Sequence, residues 1–283
     1  MYRKMILDRL EQTLELPTSL AVSVEVQRLA SDPKSSIDLI ANILRNDPVL
    51  TAKVLKLANS ALFAQTRRIV SVNQAISVLG LAEFGKITST ITFLNAFKSQ
   101  FVDYDTYWLH SLVTAFLANK INSICKASIN DERVFTGALL HDIGILILDN
   151  HFTSLYKKVF EIAQNNKIDL SRVETSILGI NHAEIGAFML KKWQLPNEIT
   201  DIIQNHHKPQ FAKLVQIDTK LVYIADFIAC NRGYDNGNEA FLEGFYEDIW
   251  DDLGLTVEDI PEIIDSIDDE VEKARQLLRL GGK

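Results

Sequence analysis

Apolar residues recur at the helical period along almost the whole chain, and strand-like alternation is scarce. Ile37, Ile40, Ile43 and Leu44 keep the i, i+3, i+4 spacing, with Ser36 placed to cap that helix. Asp47-Pro48 starts another, aspartate as N-cap and proline at the first helical position, with Leu50, Val54, Leu57 and Ala58 on one face. Asn73 or Ser71 opens a helix that breaks at Gly80, and Ala82 to Phe97 resumes the pattern. These periods predict an all-α fold class.

The polar stretch from Lys98 to Asp105 is the best boundary. Beyond it Trp108, Leu112, Val113, Phe116, Leu117, Ile121 and Ile124 form a long apolar stripe, followed by helical stretches over Asp131 to Leu148, Phe152 to Asn165 and Ser171 to Leu178. Asn181 and Glu184 have capping-box spacing, Pro196 starts a further helix, and Pro209 ends it. Leu214 to Cys230 is apolar on nearly all sides, Gly233 to Gly237 is a loop, and two helices are expected over Ala240 to Asp251 and Val257 to Leu280. Thr256 and Asp259 repeat the capping-box spacing. The expected organisation is an N-terminal helical half over 1–100, a helical core over 101–230, and acidic C-terminal helices over 231–283 packing on that core.

Five of the six histidines fall into one spaced series: His110, His141 followed by Asp142, His182, the pair His206-His207, and then Asp226. Imidazole and carboxylate together suit a divalent metal such as iron, manganese, zinc, cobalt or nickel, as one ion or two. Adjacent side chains on a helix diverge by about 100°, so His141 and Asp142 reach one point only near a helix end. Asp142 is there the candidate catalytic residue, bridging two ions or orienting a water. His182 falls in a first helical turn, where the dipole favours the neutral ring a metal needs. Asp226 has only apolar neighbours in sequence, and an isolated carboxylate buried there would cost several kcal/mol. A metal, a cationic partner, or a hydrogen bond to backbone or histidine removes that cost. His151 reads as a surface residue.

Charge limits the partners. From Asn231 onward 15 acidic residues face 5 basic ones, so the net −8 of the chain sits in its last helices, and the remainder is near neutral. That distribution argues against an extended nucleic-acid interface. No stretch approaches the ~20 apolar residues of a membrane span, and the N-terminus lacks a signal-peptide pattern. Cys125 and Cys230 are expected to be reduced, buried thiols, which predicts a cytoplasmic protein.

The order His, His-Asp, His, His-His, Asp on an all-α chain resembles the HD superfamily of metal-dependent phosphohydrolases. Gly144 fits it, and His182-Ala-Glu-Ile-Gly186 is similar to an element of the HD-GYP phosphodiesterases. The first half is narrower. Leu16-Pro17, Asp32-Pro33, Asn46-Asp47-Pro48-Val-Leu-Thr, Ala58-Asn59-Ser60, Ile69 to Ile76 and Leu79-Gly80 resemble the HDOD module, from about Leu16 to Pro209. That resemblance implies a multi-helix HD-like fold and a regulatory role in bacterial signalling, with signalling proteins as partners. Many such domains have lost the metal ligands, whereas this chain keeps them. It departs from the HD-GYP enzymes where they carry lysine after His-Asp-x-Gly and this chain has Ile145. Lys208-Pro209 replaces their Gly-Tyr-Pro loop, and Thr106 replaces a carboxylate. The expected function is therefore a signalling protein that retains a divalent metal site. The alternative is a phosphohydrolase acting on a phosphate-containing small molecule, with Lys208 the nearest cation. Arg67-Arg68 reads as a solvated loop.

Overall fold

A computed structural model describes residues 2–13, 37–45, 47–60, 68–125, 131–237 and 248–282, with positions 22, 25, 26, 29, 63, 129 and 246. Leu16-Pro17, Asp32-Pro33, Ser36, Asn46, Arg67 and the expected helix start at Ala240 lie outside the described residues. Among the described residues every regular element is a helix. The chain divides into two compact units: Met1–Glu15 with Ser99–Ala274, and Leu16–Lys98 with Arg275–Lys283.

The larger unit begins with α1 (Tyr2–Thr13); the smaller contains α2 (Ile37–Arg45), α3 (Pro48–Ala58), α4 (Val72–Leu79) and α5 (Leu81–Ala96). Asp47 caps α3, its carboxylate accepting from the Leu50 amide at 2.9 Å, and Pro48 occupies the first turn. Ser71 rather than Asn73 caps α4. Gly80 joins α4 to α5 at φ +82°, a backbone conformation that side chains with a Cβ rarely adopt. Asn59 explains the Ala-Asn-Ser run: its amide donates to the Ile69 carbonyl and accepts from the Ile69 amide, both at 2.8 Å. That clamp fixes the chain entering α4 onto the end of α3.

The larger unit continues with α6 (Tyr104–Ile124), α7 (Asp131–Leu140), α8 (Ile143–His151), α9 (Thr153–Asn166), α10 (Leu170–Leu178), α11 (His182–Lys192), α12 (Asn197–Asn205) and α13 (Gln216–Asn231). Helices α7 and α13 pack along α6, and α11 packs against α8 and α12. Their core includes Trp108, Leu112, Leu117, Leu139, Leu146, Met189, Ile202, Ile203, Leu221 and Ile224, all buried. Each such side chain contributes about 1.5–3 kcal/mol on burial. Arg133 on α7 reaches Asp218 on α13 at 2.6 Å.

Three expected elements differ. The stretch from Asp131 to Leu148 is two helices, because the chain turns at His141-Asp142, with Asp142 at φ −97°, ψ 8°. His206 and His207 lie just past the end of α12 rather than inside it. The stretch from Val257 to Leu280 is a 3₁₀ turn (Val257–Asp259), α15 (Ile260–Asp265) and α16 (Ile267–Gly281), preceded by α14 (Asp248–Asp252). Pro261 sits in the first turn of α15, which restarts the helix after the Thr256–Asp259 capping box. Lys220 binds Asp252 and Lys120 binds Glu262, each at 2.6 Å, so part of the acidic C-terminal charge is paired within the larger unit. The two cysteines are free, and both are partly exposed rather than buried.

Candidate metal centre

Six of the seven predicted residues are at most 6% exposed, and His207 is half-buried. The packing brings all seven together around one carboxylate. His110 comes from the second turn of α6, His141 and Asp142 from the turn between α7 and α8, and His182 from the first position of α11. The His206-His207 pair follows α12, and Asp226 comes from the middle of α13.

Asp142 divides the cluster. Its Oδ2 stands 3.5 Å from His110 Nε2 and 3.3 Å from His141 Nε2. Its Oδ1 stands 3.2 Å from His182 Nε2 and 3.6 Å from His206 Nε2. Asp226 Oδ1 completes the first half, 3.4 Å from His110 Nε2 and 3.8 Å from His141 Nε2. His207 Nε2 completes the second, 2.8 Å from His182 Nε2. The Asp142 backbone lies near the bridge region, which lets adjacent side chains converge where a continuing helix would splay them.

In four of the five rings the other nitrogen, Nδ1, also has a partner. His110 Nδ1 donates to the Tyr234 carbonyl at 2.7 Å, His141 Nδ1 to Ala138 at 2.6 Å, and His206 Nδ1 to Ile203 at 2.7 Å. His182 Nδ1 donates to Glu174 Oε2 at 2.7 Å, and Tyr156 donates to the other Glu174 oxygen at 2.6 Å. Carbonyls and carboxylates only accept, so in these four rings Nδ1 carries a hydrogen and Nε2 is the atom that faces the cluster. His110 and His141 bring theirs within 3.1 Å. Such contacts need a cation between them, a proton or a metal ion. The Nε2 of His206 has no hydrogen-bond partner although it is buried, which leaves a lone pair for a metal to satisfy. The residues therefore fit a divalent ion, and the outer acceptors orient four of the five rings as ligands of a metal are usually oriented.

Electrostatics divides the same groups. Burial opposes the charged form of His141, but the Asp142 carboxylate and its hydrogen bond, with Asp226, raise it to about 9. Burial likewise opposes charging of His182, but Glu174 and Asp142 overcome it and hold that imidazole well above its usual range, not neutral as its place in the first helical turn led one to expect. Burial and the neighbouring His207 and His141 push His206 well down. Burial would raise Asp142, yet His141 and hydrogen bonds from His110, His141 and His182 hold it well below the usual carboxylate range. Without metal, His141 and His182 thus carry protons at neutral pH, and a metal ion must displace them. Metal binding at pH 7 is expected to release about two protons. Affinity should rise with pH as His141 titrates, near pH 9, and as His182, also held above its usual range, gives up its proton. Calorimetry in buffers of different ionisation enthalpy measures the release; a pH-independent affinity between 6 and 9 would contradict the assignment.

Several functional side chains were not among the predicted residues. Glu174 orients His182 through both its ring and its backbone amide, at 2.7 and 2.8 Å. Its signal was present: with Leu170 and Leu178 it occupies one i, i+4, i+8 stripe, an acid on an otherwise apolar face. Asn236, in the loop after α13, donates to Asp142 Oδ2 at 2.7 Å, and nothing in its local pattern marks it. Beside the second half, a cleft of about 800 Å³ is lined by His207, Lys208, Arg172, Phe211, Tyr223 and Tyr246, among others.

A helical protein that gathers five histidines and two aspartates from its helices and the turns between them is of the HD-like class. The chain matches the HDOD domain family over residues 16–209, more than half its length, and belongs to that family. It is similar over 98% of both chains to an HDOD domain protein of unknown function from Geobacter sulfurreducens, with 25% identity and a TM-score of 0.83. A protein from Shewanella amazonensis, provisionally designated a phosphohydrolase, shares the fold at 21% identity and a TM-score of 0.76, over 96% of this chain and 97% of its own. A Treponema pallidum protein without assigned function is 26% identical over 71% of this chain and 39% of its own length. The chain thus spans about two fifths of that relative.

Proposed function

We propose that this HDOD protein is a regulatory component of signal transduction that holds divalent metal ions on the two sides of Asp142. The observation carrying the metal is the convergence of histidine Nε2 atoms on a carboxylate whose two oxygens face different histidine sets. Iron, manganese, zinc, cobalt and nickel all suit that donor set. When bound, such ions supply Lewis acidity and lower the pKa of a water.

Support for regulation rather than turnover comes from the first half of the centre. The Asn236 amide covers Asp142 Oδ2, and the residue after His-Asp-Ile-Gly is the fully buried, aliphatic Ile145. His110, His141 and Asp142 are at most 2% exposed. A buried centre of this kind links α6, the α7–α8 turn, α11 and α13, so metal loading would set their relative positions and the surface offered to a signalling partner.

One observation favours the alternative, a metal-dependent phosphohydrolase with Asp142 at the reacting centre. His207 lines the open cleft, and Lys208 beside it offers a cation for a phosphate-containing small molecule. The deciding experiment loads the protein with Mn²⁺ or Fe²⁺ and follows a chromogenic phosphodiester and a phosphomonoester. The regulatory reading expects no turnover above the metal-only control. Turnover abolished in a folded Asp142→Ala variant would overturn it.

A further inference from the structure

Cys230 lies one helical turn beyond Asp226 on α13, so the two side chains leave the same face of the helix. Its Sγ stands 3.4 Å from Asp226 Oδ1, the same oxygen that faces His110 Nε2 at 3.4 Å. A ring nitrogen of His110, a carboxylate oxygen of Asp226 and the Cys230 sulfur all lie within 4.8 Å of one another. Two ligands of one ion, at bond lengths of about 2.1 Å for nitrogen and 2.3 Å for sulfur, can be at most about 4.4 Å apart. From within 4.8 Å, a shift of a few tenths of an ångström brings nitrogen and sulfur to that limit on opposite sides of one ion, and a narrower angle needs a larger one. A thiol used only for packing would face apolar neighbours, whereas this one is aimed at a carboxylate of the centre.

We infer that Cys230 is a sulfur ligand of the ion held by His110, His141, Asp142 and Asp226. As the metal–sulfur bond forms, the thiol proton that now faces Asp226 passes to solvent, and the thiolate supplies the electron pair. The inference rests on the metal centre proposed above and makes its two halves chemically unlike. The first offers nitrogen, oxygen and sulfur. The second, at His182, His206 and His207, offers imidazole nitrogen and the far oxygen of Asp142. Softer ions such as zinc or cobalt should therefore settle first beside Cys230, and an ion that avoids sulfur, such as manganese, should favour the second half.

Cobalt(II) titration of the full chain under reducing, anaerobic conditions tests this, with bound cobalt counted by elemental analysis. The wild type should show a near-ultraviolet thiolate-to-cobalt charge-transfer band that saturates with the first equivalent. Cys230→Ser should bind cobalt about tenfold more weakly at that position and lose the band, while Cys125→Ser keeps it. Cobalt bound without the band, or a band that survives Cys230→Ser, would overturn the assignment of Cys230 and leave the centre standing. No cobalt bound at all would overturn both.

Discussion

Gly144→Ala is expected to destabilise the larger unit by at least about 3 kcal/mol, the cost of forcing an atom into a packed site. That lowers Tm by roughly 6–12 °C for a unit of this size. A Cβ at position 144 would lie 2.0 Å from the His182 carbonyl oxygen and 2.7 Å from its carbonyl carbon. Both are backbone atoms at the start of α11, so no rotamer change relieves the clash. Helix α8 must move away from α11, which carries His182 from Asp142. The variant should therefore lose stability and metal affinity together, read by thermal melts with and without added metal. A normal melt would show that the α8–α11 approach does not require glycine.

Asp142→Ala is expected to separate the two properties. The Asp142 side chain makes no capping hydrogen bond to α8, so its removal spares the helix. It does remove the carboxylate shared by the two histidine sets. Affinity at both positions should fall by at least about 100-fold, and the stabilisation conferred by saturating metal by about 2.7 kcal/mol. With the charge gone, the metal-free His141 loses the carboxylate that holds it at about 9 and titrates lower. Retained tight binding of two ions by a folded Asp142→Ala protein would remove Asp142 from the centre.

Much of this centre was legible in the sequence because its residues interrupt apolar faces. His110 falls within the stripe of α6, and Asp226 sits among Ile224, Ala225, Phe227 and Ile228. A polar residue in such a position must find a partner, and several in series point to a shared one. The turn at His141-Asp142 was legible only as a geometric requirement, since adjacent ligands cannot converge from within a helix. How Asp142 divides its oxygens was not legible, because it depends on the packing of α6, α11 and α13 around the turn. Glu174 was visible as an acid on an apolar stripe. Asn236 was not, because loop contacts leave no period to read. The helical class followed from periodicity, while helix ends shifted where turn chemistry intervened, as at Pro261.

Elemental analysis of the purified full chain, after loading with a divalent ion and removal of the excess, tests the central claim most directly. The two-sided arrangement about Asp142 predicts about two ions per chain, displaced by acid as the histidines protonate. A chain that holds no ion after loading at pH 8 would contradict the account, and the converging Nε2 atoms would then be bridged by protons alone.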